Sequence, residues 1–142
     1  MADAKAIKKR PGQMRLTDAT QYKLPPAGVI SILHRISGLL LIVLMPFVIW
    51  LFDNSLSSEV SYDTFRSAFI VGIGFVPAWF VKIVTLVLIW AFLQHFCAGV
   101  RHLYMDATHS VTKQFGRQSA LVALGVAVVL TIAFGLKLFG AY

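Results

Sequence analysis

Two short polar clusters interrupt an otherwise apolar chain, and both carry side chains suited to redox or ligand-binding chemistry. The first is Ser31-Ile-Leu-His34-Arg35-Ile-Ser37-Gly38. On a helix, Ser31 and Arg35 share a face at a spacing of four, and Gly38, seven residues beyond Ser31, lets another group approach closely. A hydroxyl donor beside a fixed cation suits a polar ligand at the membrane edge, and a quinone head group offers the matching acceptors. The plainer reading has Arg35 anchoring the helix at the headgroups while Ser31 bonds back to its own helix carbonyl.

The second cluster is His95-Phe-Cys-Ala-Gly99-Val-Arg101-His102-Leu-Tyr-Met-Asp106. Residues 95, 99 and 102 follow the i, i+4, i+7 pattern, which places two imidazoles and a glycine notch on one stripe. At helical rise His95 lies about 9 Å deeper than Arg101. An imidazole at that depth either hydrogen-bonds across a helix interface or serves as an axial ligand to haem iron. Haem propionates need cations nearby, and His34, Arg35, Arg101 and His102 supply them. The spacing leaves the second axial ligand open between His34 and a histidine of a partner chain. His109 reads as a loop residue, Cys97 as a small buried apolar group, and Lys82 and Lys137 as interface anchors.

The elements that must position these groups follow from composition. The chain has 142 residues, 58% of them hydrophobic and only 13% charged, with a mean hydropathy of +0.76. Soluble domains average about 25% charge, and disordered chains need low hydrophobicity, so both classes are excluded. A single cysteine forms no internal disulfide and matches no spaced zinc or iron-sulfur motif.

A membrane helix needs roughly 20 apolar residues. Three runs meet that length, and the division expected is an N-terminal segment 1–27, a first span 28–52 with a kink point at Pro46, an outer connection 53–80, a second span 81–100, a loop 101–118 and a third span 119–140. Gly72, Gly74 and Pro77 mark residues 71–80 as an irregular or interfacial approach. Lys5, Lys8, Lys9, Arg10, Arg15 and Lys23 precede the first span, and Arg101, Lys113 and Arg117 follow the second. The positive-inside rule puts both segments in the cytoplasm, and Trp50 and Trp79 then fall at the outer interface. The net charge of +7 is thereby an orientation signal rather than a nucleic-acid patch. The expected class is an all-α membrane protein with three transmembrane helices and its N-terminus inside. Three helices leave one flank of a bundle open, which calls for a membrane partner. The N-terminal run resembles neither a cleaved signal nor a transit peptide, favouring a bacterial inner membrane.

At the two clusters, and at Arg10-Pro11 ahead of the first span, the sequence resembles the cytochrome b556 subunits of succinate dehydrogenase. The resemblance covers almost the whole chain. It implies a subunit that completes a helical bundle with a second small anchor, shares one haem b with it, and docks an iron-sulfur subunit and a flavoprotein carrying FAD. It further implies His95 as haem axial ligand opposite a histidine of the companion anchor, and Ser31 and Arg35 as ubiquinone-site residues. His34 and His102 correspond to positions beside the propionates or the site entrance, and the role of Asp106 stays open. The function so implied is the last step of succinate:ubiquinone oxidoreduction, joining the tricarboxylic acid cycle to the respiratory chain, with no covalent catalysis by this chain. An anchor of a quinol:fumarate reductase and a haem-free structural anchor are the rival readings; a small transporter lacks the expected internal repeat.

Overall fold

The computed structural model describes residues 24–109 and 111–141. The basic N-terminal segment and its Arg10-Pro11 pair therefore lie outside the described residues. The fold consists of α1 (Pro26–Val43), α2 (Met45–Leu56), α3 (Glu59–Ile70), a minimal hairpin of β1 (Gly72–Ile73) and β2 (Val76–Pro77), α4 (Ala78–Thr108) and α5 (Lys113–Leu138). Helices α1, α4 and α5 are long and apolar enough to cross a bilayer.

Pro25 stands extended before α1, and Pro26 occupies its first turn, where a missing N–H costs nothing. The first apolar run is two helices rather than one. Leu44, at φ −86° and ψ 0°, separates α1 from α2, while its N–H still reaches Leu40 O and its carbonyl still accepts from Val48. Pro46 supplies the cause, since it has no N–H to continue the ladder and its ring crowds the preceding turn.

The connection expected over 53–80 is also more ordered than its glycines suggest. Ser58 and Ser61 form a reciprocal capping box at the start of α3: Ser61 N–H donates to Ser58 Oγ at 3.1 Å and Ser58 N–H to Ser61 Oγ at 2.9 Å. The hairpin follows in antiparallel register, Gly72 opposite Pro77 and Ile73 opposite Val76. Gly72 has φ +120°, and a Cβ there would collide with the Val76 carbonyl oxygen, so no other residue fits.

Helix α4 has 31 residues, about 46 Å at helical rise, which exceeds the hydrocarbon core. It continues to Thr108 because nothing between Arg101 and Thr108 breaks it, and α5 begins at Lys113. The loop expected over 101–118 thus shrinks to a short link. His109 ends α4 in the left-handed conformation, φ 52°, and Thr112 caps α5 by accepting Phe115 N–H.

Helix α4 is central, packing on both α1 and α5, which also touch each other. The buried cluster is small: Ile30, Ala98, Ala120 and Ala123, with Cys97 and Leu124 against it. Small residues let apolar helices approach closely where no hydrophobic effect drives them together. Many large side chains point outward; Ile42 is 72% and Val129 64% exposed. Such a surface suits lipid or a membrane partner. At the opposite end of the α4–α5 pair from their link, Lys82 Nζ sits 5.9 Å from the Phe139 ring centre.

Candidate functional site

The pairing of α1 with α4 brings the two polar clusters together. His34 and His95 stack, their ring centres 4.2 Å apart and their planes inclined by 25°. His102 adds a third imidazole, tilted and 5.4 Å from His34. The stripe of residues 95, 99 and 102 therefore lies against α1, and Gly99 is the point opposite His34.

His95 is oriented from two sides. Its Nδ1 lies 3.2 Å from the His34 carbonyl oxygen and 3.4 Å from Ser37 Oγ. A carbonyl only accepts, so the proton on that edge belongs to Nδ1. Ser37 is fully buried and donates its own hydroxyl to His34 O at 2.9 Å, which leaves its oxygen lone pairs toward the imidazole. Nε2 makes no hydrogen bond among the described residues. Fixing one ring nitrogen on a backbone carbonyl is how proteins orient histidines that bind metal through the other.

Gly38 is the notch that admits this ring. A Cβ at that position would stand 3.1 Å from His95 Cε1 and 3.3 Å from Nδ1. The opening foreseen on α1 thus exists, and the group that uses it is an imidazole of α4.

The rings of His34 and His95 lie face to face. Arg101, expected beside the imidazoles, lies apart from them. It faces α5, donating from Nε to Ser119 Oγ at 3.0 Å and from Nη2 to the Gly116 carbonyl at 3.2 Å. Arg101 precedes His102 by one residue, which is about 100° of rotation around the helix.

Ser31 is half-buried and Arg35 exposed on α1. Among the described residues neither side chain makes a hydrogen bond or ion pair, so Ser31 does not bond back to its helix, whereas Ser37 does. Asp106 is exposed and forms no ion pair among the described residues.

Two residues of consequence had no role from sequence alone. Ser37 was visible only as part of the first motif. Gln94 is 1% exposed, and its amide Nε2 has no hydrogen-bond partner among the described residues. A glutamine inside an apolar span, next to a histidine, is itself the signal that could have singled it out. No cluster of three or more His, Cys, Asp or Glu side chains among the described residues forms a metal cage.

Residues 8–134 match the family model described as the succinate dehydrogenase/fumarate reductase transmembrane subunit. The chain is 30% identical over 118 residues to the succinate dehydrogenase cytochrome b556 subunit of Coxiella burnetii, covering 83% of this chain and 90% of that one. It is 28% identical over 111 residues to the subunit of the same name from Paracoccus denitrificans, covering 78% and 80%. With three apolar helices and relatives of this kind in two bacteria, it is a multi-pass protein of the bacterial inner membrane. On the strength of that match across nearly its whole length, the chain belongs to the succinate dehydrogenase/fumarate reductase transmembrane subunit family.

Proposed function

We propose that this chain is the cytochrome b anchor of a succinate:ubiquinone oxidoreductase, holding haem b between itself and a second anchor and forming part of the ubiquinone-reduction site. The observation that carries the reading is the state of His95. Its Nδ1 is committed to a backbone carbonyl, and Nε2 remains available on a helix facing two further imidazoles. The residues present fit a haem. His95 would ligate the iron through Nε2, and His34 and His102 would lie on the propionate side. When bound, the haem supplies a one-electron store beside the quinone.

A second axial ligand would come from the companion anchor, a reading supported by the face-on stacking of His34 against His95. That requirement makes the second anchor part of the cofactor site, and the outward-facing apolar side chains leave room for its helices. The N-terminus and the α4–α5 link face the cytoplasm, where an iron-sulfur subunit and a flavoprotein dock.

At the quinone, the Ser31 hydroxyl donates to one carbonyl oxygen and holds the ring in position. The Arg35 guanidinium stabilises the negative charge that builds on the quinone oxygens during reduction. Such a fixed cation acts more strongly in a partly dry site than in water, since it needs no reorganisation as the charge develops. Protons enter from the same face as the electrons, so no charge crosses the membrane.

The decisive measurement is a reduced-minus-oxidised spectrum of the detergent-purified assembly, with its copurifying chains identified. The expected result is a low-spin b-type signal together with a flavoprotein, an iron-sulfur subunit and one further small membrane chain. A haem-free, flavin-free particle would overturn the proposal.

A further inference from the structure

We propose that the groove between α4 and α5 binds an anionic phospholipid, its phosphate on Arg101 and one acyl chain along the groove toward the bilayer interior. The starting point is a charge without a counter-charge. Arg101 is 8% exposed, its Nε and Nη2 are taken by the neutral Ser119 hydroxyl and the Gly116 carbonyl, and no carboxylate pairs with it among the described residues. Burying an ion without an opposite charge is expensive, and the expense is relieved by an anion that shares the site.

The surroundings select the anion's chemistry. Arg101 lines an open groove of about 480 Å³ whose polar end also holds Tyr104 and Ser119, and whose walls are apolar, with Phe96, Val122 and Val126 among them. From Ser119 to Val126 the groove follows α5 for about 10 Å along the helix axis. One end is therefore cationic and the rest suits hydrocarbon, which is the layout of a phosphodiester headgroup with its chain. The polar end lies near the α4–α5 link, at headgroup level. Lys113 and Arg117 stand on the first turns of α5, and no acidic residue occupies its first turn. Basic pockets between transmembrane helices are established as lipid headgroup sites. The imidazole cluster lies on the α1 side of α4, so this site does not depend on the haem or quinone reading.

The test uses the intact complex in nanodiscs of equal phosphatidylglycerol and phosphatidylcholine, with tightly held lipid counted by native mass spectrometry after detergent release. The wild type is expected to retain phosphatidylglycerol at least ~10-fold over phosphatidylcholine. Arg101→Gln removes the cation, and Val122→Trp fills the groove without touching the Arg101 hydrogen bonds. Both are expected to reduce retained phosphatidylglycerol ~10-fold or more, and if Arg101→Gln fails to assemble, Val122→Trp decides alone. Equal retention of the two lipids by the wild type overturns the proposal, as does undiminished retention in an assembled variant. Cross-linking from a cysteine placed at Val122 to a protein chain instead of to lipid also overturns it.

Discussion

His34 presents the face of its ring and the oxygen of its own carbonyl to His95, the first 4.2 Å away between ring centres and the second 3.2 Å from Nδ1. One residue thus fixes both the plane and the protonated edge of its neighbour. Replacing His95 by Leu should abolish the low-spin haem absorbance of the purified complex. Ser37→Ala, which removes the buried hydroxyl beside Nδ1, should lower haem retention by roughly 10-fold, in the range usual for groups that orient a metal ligand. Titrating haem into stripped complex measures both, and an unchanged His95→Leu spectrum would move the ligand elsewhere.

On the proposed reading, Ser31 and Arg35 serve quinone reduction and not succinate oxidation. Ser31→Ala and Arg35→Leu should each reduce ubiquinone-linked turnover by roughly 10- to 100-fold, the range seen on losing a preorganised hydrogen bond or charge. Succinate oxidation by a water-soluble dye should be unaffected. Equal losses in both assays would contradict their place at the quinone.

Gly38→Ala probes the approach of α1 to α4. The added methyl would press on His95 at 3.1 Å, closer than an ordinary van der Waals contact. Overpacking of this sort costs about 1–3 kcal/mol. The thermal midpoint of the complex should fall, and the haem should be lost at a lower temperature than in the wild type.

Gln94→Leu should act in the opposite direction. An unpaired buried amide costs about 1–3 kcal/mol, and leucine has similar volume with no polar atom to satisfy. The substitution is expected to raise the thermal midpoint with the haem spectrum unchanged. A drop in midpoint would show that a partner group meets Nε2 in the assembled complex.

The spans were legible because a 30 Å hydrocarbon layer demands long apolar runs, and the two site clusters because polar residues at that depth are costly enough to be conspicuous. Depth, however, says nothing about direction around a helix. Arg101 shares its level with His102 but belongs to the stripe of Gln94 and Ala98, which the spacing 94, 98, 101 already encodes. The roles of Ser37 and Gly38 depended on which residue of α4 would face them, a matter of interhelical register that no local pattern contains. The continuation of α4 to Thr108 leaves no mark in hydropathy, because helical hydrogen bonding does not stop where the apolar run ends.

The break at Leu44 divides the work of the first membrane segment. Ser31, His34 and Arg35 all belong to α1, whose pairing with α4 is fastened at the imidazoles, whereas α2 is joined to α1 only through the distorted turn ahead of Pro46. Bilayers differ in thickness by several ångströms, and helices commonly adjust by tilting. An adjustment of α2 at that turn would lie about 15 Å along the helix from His34, on the far side of the break from the α1–α4 pairing.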